Sequence, residues 1–278
     1  MKQPAHQNSN HNHKADSWLY GKHILITGGS SGIGRELAQR FMGLARKLTL
    51  VSRDHNGKLE TLKKKLNREP GNGTKTKVEA FSMDVCDRKK VIALVQKIYE
   101  KDKDQVDVFI NCAGGSHIYG TFETMSYKDI DQIFDTNAKA PIFWFRELLP
   151  RMKRNKLKNG DLKRGHIVML SSRSGERTLP KLSVYTAAKG AAEKLMEAMQ
   201  KEYVQHHLVF TLINPGSINT AFTADWNQAA RKAHNSESMA VSEAVSPIIE
   251  ALNSQLAINR ISYESVYQWL NEPGVLID

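Results

Sequence analysis

Six short apolar runs recur along the chain, each separated from the next by a stretch in which apolar positions return every three or four residues. The runs are HILIT (23 to 27), LTLVS (48 to 52), VEAFSM (78 to 83), VDVFIN (106 to 111), HIVMLS (166 to 171) and LVFTLIN (208 to 214). They are nearly continuous rather than alternating, which predicts strands covered on both faces. Helical spacing fills 33 to 46, 87 to 100, 126 to 150 and 185 to 204. Regular alternation of strand and helix predicts an α/β fold built on a doubly wound parallel sheet. Ligands of such sheets bind beyond the C-terminal ends of the strands, so the residues just past those ends are the ones to read for chemistry.

Composition changes this picture little. With 278 residues, 40% hydrophobic and 25% charged, the chain has the makeup of one globular domain rather than a disordered or fibrous protein. Residues 1 to 20, MKQPAHQNSNHNHKADSWLY, read as a polar disordered tail before a domain at 21 to 278. His6, His11 and His13 within it are explained by that low complexity without a metal. The tail lacks the apolar core of a secretion signal, and no run approaches the roughly 18 apolar residues of a membrane span. Two cysteines, Cys86 and Cys112, make neither a disulfide framework nor a zinc site. A cytoplasmic protein without a membrane span is expected.

The net charge of +11 raises the question of nucleic acid. Its two basic clusters, KLETLKKKLNR (58 to 68) and RMKRNKLKNGDLKR (151 to 164), contain no aromatic residues. No recognition-helix or sheet-aromatic signature accompanies them, so they read as solvated faces and no nucleic-acid partner is expected.

After the first strand comes TGGSSGIG, Thr27 to Gly34. Gly28, Gly32 and Gly34 permit a tight turn, close approach of backbone to a pyrophosphate, and close packing of a helix whose N-terminal amides favour an anion. The spacing resembles the glycine turn of the short-chain dehydrogenase/reductase family. The resemblance runs from about residue 20 to 255 and includes NCAG (111 to 114), Asn137 in DTNAKAP, Ser172, YTAAK (185 to 189) and NPGSINT (214 to 220), with Ser172 thirteen residues before Tyr185. It implies a single Rossmann-type domain with about seven parallel strands, a nicotinamide cofactor, and a homodimer or homotetramer.

Tyr185 and Lys189, four residues apart, share a helix face, so an ammonium can sit near the phenol. A free tyrosine titrates near 10, and a neighbouring cation is expected to lower that value toward the working range of an acid. Ser172, at the end of the fifth strand, is placed to hydrogen-bond a substrate oxygen and to stabilise charge developing on it. The resemblance implies that Tyr185 protonates the oxygen, that Lys189 also holds the nicotinamide ribose, and that Asn137 supports a water-linked proton relay. It further implies that Thr27, Gly28, Ser30, Ser31, Gly32, Ile33 and Gly34 cradle the pyrophosphate. Asp84 and Val85 would meet the adenine, with Ala113 and Gly114 passing its ribose. Pro215, Gly216, Ile218 and Thr220 would meet the carboxamide. Asn111 is counted with these, although a structural bridge between central strands fits it better, and Cys112 reads as an inert buried hydrophobe.

The second strand ends at Ser52 and Arg53, where an NAD site of this fold would carry a carboxylate. A guanidinium and a hydroxyl there suit the 2′-phosphate of NADP(H). Asp54 is the alternative, since a one-residue shift would bring it to the ribose instead. Segments 115 to 122, 173 to 183 and 217 to 240 should line the substrate pocket, with His117, Arg173, Glu176 and Arg177 among them. Ile218, Phe222 and Trp226 fall at four-residue spacing, as on a short helical lid. The function expected is NADPH-dependent reduction of a ketone to a secondary alcohol. A lipid ketone reductase for 3-ketodihydrosphingosine or a 3-oxoacyl thioester is the narrower alternative. A non-catalytic NADP-sensing scaffold is the contrasting one.

Overall fold

The computed structural model describes residues 17–69, 75–157, 161–220, 238–254 and 259–263, together with Phe222, Trp226, Gln228, Lys232 and Ala257. Seven parallel strands form one sheet in the order β3-β2-β1-β4-β5-β6-β7. They are β1 His23–Thr27, β2 Lys47–Ser52, β3 Lys77–Ser82, β4 Val108–Asn111, β5 Gly165–Leu170, β6 Leu208–Pro215 and β7 Arg260–Tyr263. Six of these fall on the apolar runs. The seventh, RISY, is a half-exposed edge strand, too short and too polar to carry a pattern of its own.

The helices are α1 Gly32–Arg40, α2 Lys58–Arg68, α3 Arg88–Gln96, α4 Tyr127–Phe134, α5 Ala140–Met152, the one-turn α6 Arg173–Glu176, α7 Ser183–Tyr203, α8 Val241–Ala244 and α9 Ser246–Asn253. Strand side chains explain the continuous runs. Ile24 and Ile26 of β1 pack toward α1, α2 and α9, while Leu25 between them joins α3, α5 and α7 on the opposite face. Trp144 of α5 is fully buried and stacks on Phe109 of β4, centroid to centroid 5.5 Å. Strand order reverses between β1 and β4, and this switch point opens the crevice in which the site lies.

Three expectations need correction. The helix foreseen at 126 to 150 is two helices joined by a π turn, Asp135–Lys139, and the one at 87 to 100 ends in another, Lys97–Lys101. Such turns insert one residue into the ladder and frequently mark functional positions; here Asn137 sits inside one. The domain begins before residue 21, because Trp18 and Leu19 are 6% and 0% exposed within the core; residues 1 to 16 lie outside the described residues.

The basic clusters behave differently from each other. In α2 Leu59, Leu62 and Leu66 are buried and most of the lysines face water. In the second cluster Lys163 is only 4% exposed. Its ammonium stands 4.1 Å from the Trp18 ring centroid, donates to the carbonyls of Leu252 and Ser254 at 2.8 and 3.1 Å, and is lowered to about 8 by burial. It locks the N-terminal segment and the end of α9 to the sheet rather than presenting charge. Among the described residues no helix is long and apolar enough to cross a membrane, and no cluster of three or more His, Cys, Asp or Glu is arranged to hold a metal ion.

Candidate active site

The C-terminal ends of β1, β2, β4, β5 and β6 open into a cavity of about 810 Å³. Its floor is the glycine turn. Gly28 has φ +71°, and a Cβ added there would stand 2.9 Å from the Ala113 nitrogen. A Cβ on Gly34 would stand 2.5 Å from the Gly28 carbonyl oxygen, so the start of α1 presses directly on the turn. Ser30, Ser31 and Gly32 line the cavity at the N-terminus of α1, an arrangement that fits a pyrophosphate. Thr27 and Asn111 lie behind the wall. The Thr27 hydroxyl donates to Asn111 Oδ1 at 2.8 Å and accepts from the Ala113 N–H at 3.3 Å, pinning the ends of β1 and β4 together. Asn111 is thus the bridge between central strands.

Tyr185 opens the buried face of α7 and Lys189 follows one turn later. The Ser172 hydroxyl lies within hydrogen-bonding reach of the phenol, and it also caps α6 by accepting from the Ser174 N–H at 3.1 Å. Lys189 Nζ is 5.6 Å from the Tyr185 ring centroid and donates to the Leu170 carbonyl at 3.0 Å. Electrostatics differ from the expectation. Burial pushes the phenol above its ordinary value, and the Ser172 hydrogen bond only partly offsets it. Burial also lowers the Lys189 ammonium to about 8, against the raising field of Glu193. The cation does not bring Tyr185 down because it is aimed at a strand-end carbonyl and is itself desolvated. Asn137 is 2% exposed and does not line the cavity. Its amide clasps the main chain, accepting from the Gly115 N–H at 2.9 Å and donating to the Gly115 and Ile133 carbonyls, each at 2.8 Å. Any relay role would fall to its main chain, at the π turn.

At the far end of the cavity Ser52 and Arg53 are on the wall, with Arg53 exposed. Asp54 is turned away, its Oδ1 accepting from the Leu59 N–H at 2.8 Å at the start of α2. Asp84 and Val85 line the adjoining edge, where Asp84 Oδ1 accepts from the Cys86 N–H at 2.8 Å. Ala113, Gly114, Pro215, Gly216, Ile218 and Thr220 complete the wall between the two ends. A side chain at Gly114 would displace its neighbours, since a Cβ there would stand 2.8 Å from Asn137 Oδ1 and 3.0 Å from Lys189 Nζ. Burial pushes the Cys112 thiol up to about 12, so it stays protonated at neutral pH.

The substrate side departs furthest from expectation. His117 lines the cavity with its Nε2 2.9 Å from Asp129 Oδ1, and Arg173 and Arg177 line it too. Glu176 does not: Arg260 and Ser262 of β7 draw it out of the cavity. Ile218 forms an extended bridge with Met239 instead of starting a helix. Trp226 is 8% exposed, donates its indole N–H to the Ser116 carbonyl at 2.9 Å and stacks on Tyr119 at 4.7 Å. Phe222 lies edge-on to Trp226 at 5.4 Å and 5.7 Å from Tyr185. Together these rings make an aromatic wall beside Tyr185; most of the remainder of 221 to 237 lies outside the described residues. Sequence reasoning missed Glu193, one turn past Lys189 and 4% exposed. Its signal was the same four-residue spacing that links Tyr185 to Lys189.

The sequence matches the model of the short chain dehydrogenase family over residues 22–231. It is 32% identical over 209 residues to bovine (Bos taurus) dehydrogenase/reductase SDR family member 7B, covering 73% of this chain and 61% of that one. An uncharacterized oxidoreductase of Staphylococcus haemolyticus is 30% identical over 243 residues, 87% of this chain and 95% of its own. Bovine 3-ketodihydrosphingosine reductase is 30% identical over 210 residues, 76% of this chain and 60% of its own. The chain thus spans about three-fifths of the length of both bovine relatives. An alcohol dehydrogenase of Thermococcus sibiricus, solved in complex with 5-hydroxy-NADP, superposes with a TM-score of 0.74 at 23% identity, covering 89% of this chain and 97% of that one. The parallel sheet agrees with these matches, and the chain belongs to the short-chain dehydrogenase family.

Proposed function

We propose that the protein reduces a ketone to a secondary alcohol with NADPH. One observation carries this reading: the Tyr185 phenol, within reach of the Ser172 hydroxyl, closes the inner end of a cavity that runs on past the glycine turn to Arg53. NADPH, when bound, supplies the hydride. Tyr185 donates its proton to the carbonyl oxygen as negative charge develops there. A phenol held above its ordinary pKa is fully protonated at neutral pH, as a proton donor in the reductive direction must be. Ser172 hydrogen-bonds the same oxygen. Lys189 holds the ribose edge. Asn137 ties the β4 loop to the end of α4, and its π turn offers main chain for a water link. An NADPH-oxidation screen over ketones of graded chain length and head-group charge tests this; turnover of none of them overturns it.

Arg53 supports NADP(H) over NAD(H), because Asp54 is spent on α2 instead of facing the ribose. Hydrogen bonds to charged groups contribute about 1.5–3 kcal/mol. The protein should accordingly prefer NADPH to NADH by roughly ten- to a hundred-fold. Arg53→Ala should erase most of that preference while barely changing NADH binding, as read by fluorescence titration of both cofactors. Unchanged discrimination would assign the phosphate to another group.

The aromatic wall and the apolar residues Leu179 and Leu182 favour a substrate with a substantial apolar part, and the likeness to 3-ketodihydrosphingosine reductase points the same way. Trp226→Ala should raise KM for a long apolar ketone far more than for a small one. Equal effects on both would reduce Trp226 to packing.

A further inference from the structure

Glu193 lies on the face of α7 that carries Tyr185 and Lys189, one turn beyond the lysine. Its carboxylate is buried, and burying a charge costs stability unless it is paired and hydrogen-bonded. Each oxygen is accounted for. Oε1 accepts from the Ser171 hydroxyl at 2.8 Å and from Asn214 Nδ2 at 3.1 Å, and Oε2 accepts from Arg260 at 2.9 Å. Gly175 of α6 lies so close that any side chain there would collide with Oε1. One carboxylate therefore gathers the ends of β5 and β6, the edge strand β7 and the turn that follows Ser172. Ser171 directly precedes Ser172, and Asn214 directly precedes Pro215 and Gly216.

An apolar side chain could pack this junction but could not do two further things. It could not hold the Ser171 hydroxyl, and it would leave the Lys189 ammonium with no neighbouring anion in a desolvated position. The charged and titratable groups around the pair are few. Lys189 faces Tyr185 and Glu193 on its own helix and Cys112 from the β4 loop. Glu193 faces Arg260 from β7, and Arg260 is shared with Glu176 of α6 and Glu197 of α7, while Arg173 pairs with Glu176.

We propose that Glu193 is a positioning residue for the reaction: its carboxylate sets the strand end that carries Ser172 and supplies the field that keeps Lys189 cationic. This rests on the role given above to Lys189 in holding NADPH. A neutral Lys189 loses its charge and one donor and would hold the ribose more weakly, so affinity for NADPH falls as pH rises through the lysine's titration. Removing the negative charge at 193 moves that loss to lower pH.

Fluorescence titration of NADPH across neutral to alkaline pH tests this without requiring a substrate. Glu193→Gln preserves the shape and the acceptor for Ser171 and should move the midpoint of affinity loss down by about one pH unit. Arg260→Met removes the guanidinium that offsets the carboxylate and should move the midpoint up. It keeps the inference testable where Glu193→Gln does not fold. An unshifted midpoint in the folded variants overturns the inference, since a purely structural role would change melting temperature and leave the midpoint in place. Failure of the parent reading looks different. Undiminished turnover by Tyr185→Phe, or absence of NADPH and NADH binding by the wild type, overturns the reading itself; an inactive Tyr185→Phe beside an unshifted midpoint overturns only the role of Glu193.

Discussion

Tyr185→Phe should turn over any ketone substrate about 10²–10⁴-fold more slowly than the wild type, the range for loss of a positioned proton donor. The substitution removes one oxygen from a side chain that is 5% exposed and packed against Phe222, so ring packing and the fold survive. NADPH affinity should stay near the wild-type value, because the bulk of the wall from the glycine turn to Arg53 is untouched. The contrast between lost turnover and kept binding is what separates a proton donor from a structural tyrosine. Steady-state kinetics with a fluorescence titration reads both. Wild-type turnover in the variant would remove Tyr185 from the mechanism.

Gly34→Ala should damage folding and cofactor binding together. The added methyl would stand 2.5 Å from the Gly28 carbonyl oxygen and 2.9 Å from its carbon. Both are backbone atoms of a turn held by its own positive φ and by the β4 loop above it, so neither can swing aside as a side-chain tip would. Overpacking of this kind costs about 1–3 kcal/mol. For a domain of this size each kcal/mol lowers Tm by about 2–4 °C. Relief requires α1 to lift from the turn, which would carry the helix N-terminus away from the pyrophosphate position. Thermal melting with and without NADPH checks this. A variant with normal Tm and normal affinity would mean that the close approach of α1 to the turn is not needed.

These two predictions depend on features of different visibility. Glycines at 28, 32 and 34 after an apolar strand, and Tyr185 four residues before Lys189, are local patterns; a chain that must bend sharply or share a helix face announces it within a few residues. Five of the six strands were legible for the same reason, since a strand buried on both faces is apolar throughout. The sixth, β3, is an edge strand and only partly buried, against the expectation that both its faces would be covered. Lys163, in contrast, sits in a run of basic residues that reads as solvated, yet it is buried against Trp18 and the end of α9. Trp18 and Leu19 belong by composition to a polar tail and by packing to the core.

Within the site, the sequence by itself determined the parallel doubly wound order, the glycine turn and which serine, tyrosine and lysine stand at neighbouring strand and helix ends. Only the tertiary structure decided which way their neighbours point. Asp54 turns to α2, Glu176 leaves the cavity for Arg260, 84 residues away in sequence, and Asn137 commits its amide to the β4 loop. It also decided the balance of forces on Tyr185, where burial outweighs the Ser172 hydrogen bond. The physical reason is one of range. Turn and helix-face geometry is set by covalent neighbours, whereas the partner of a charge and the water it loses are set by segments that meet only when the sheet closes.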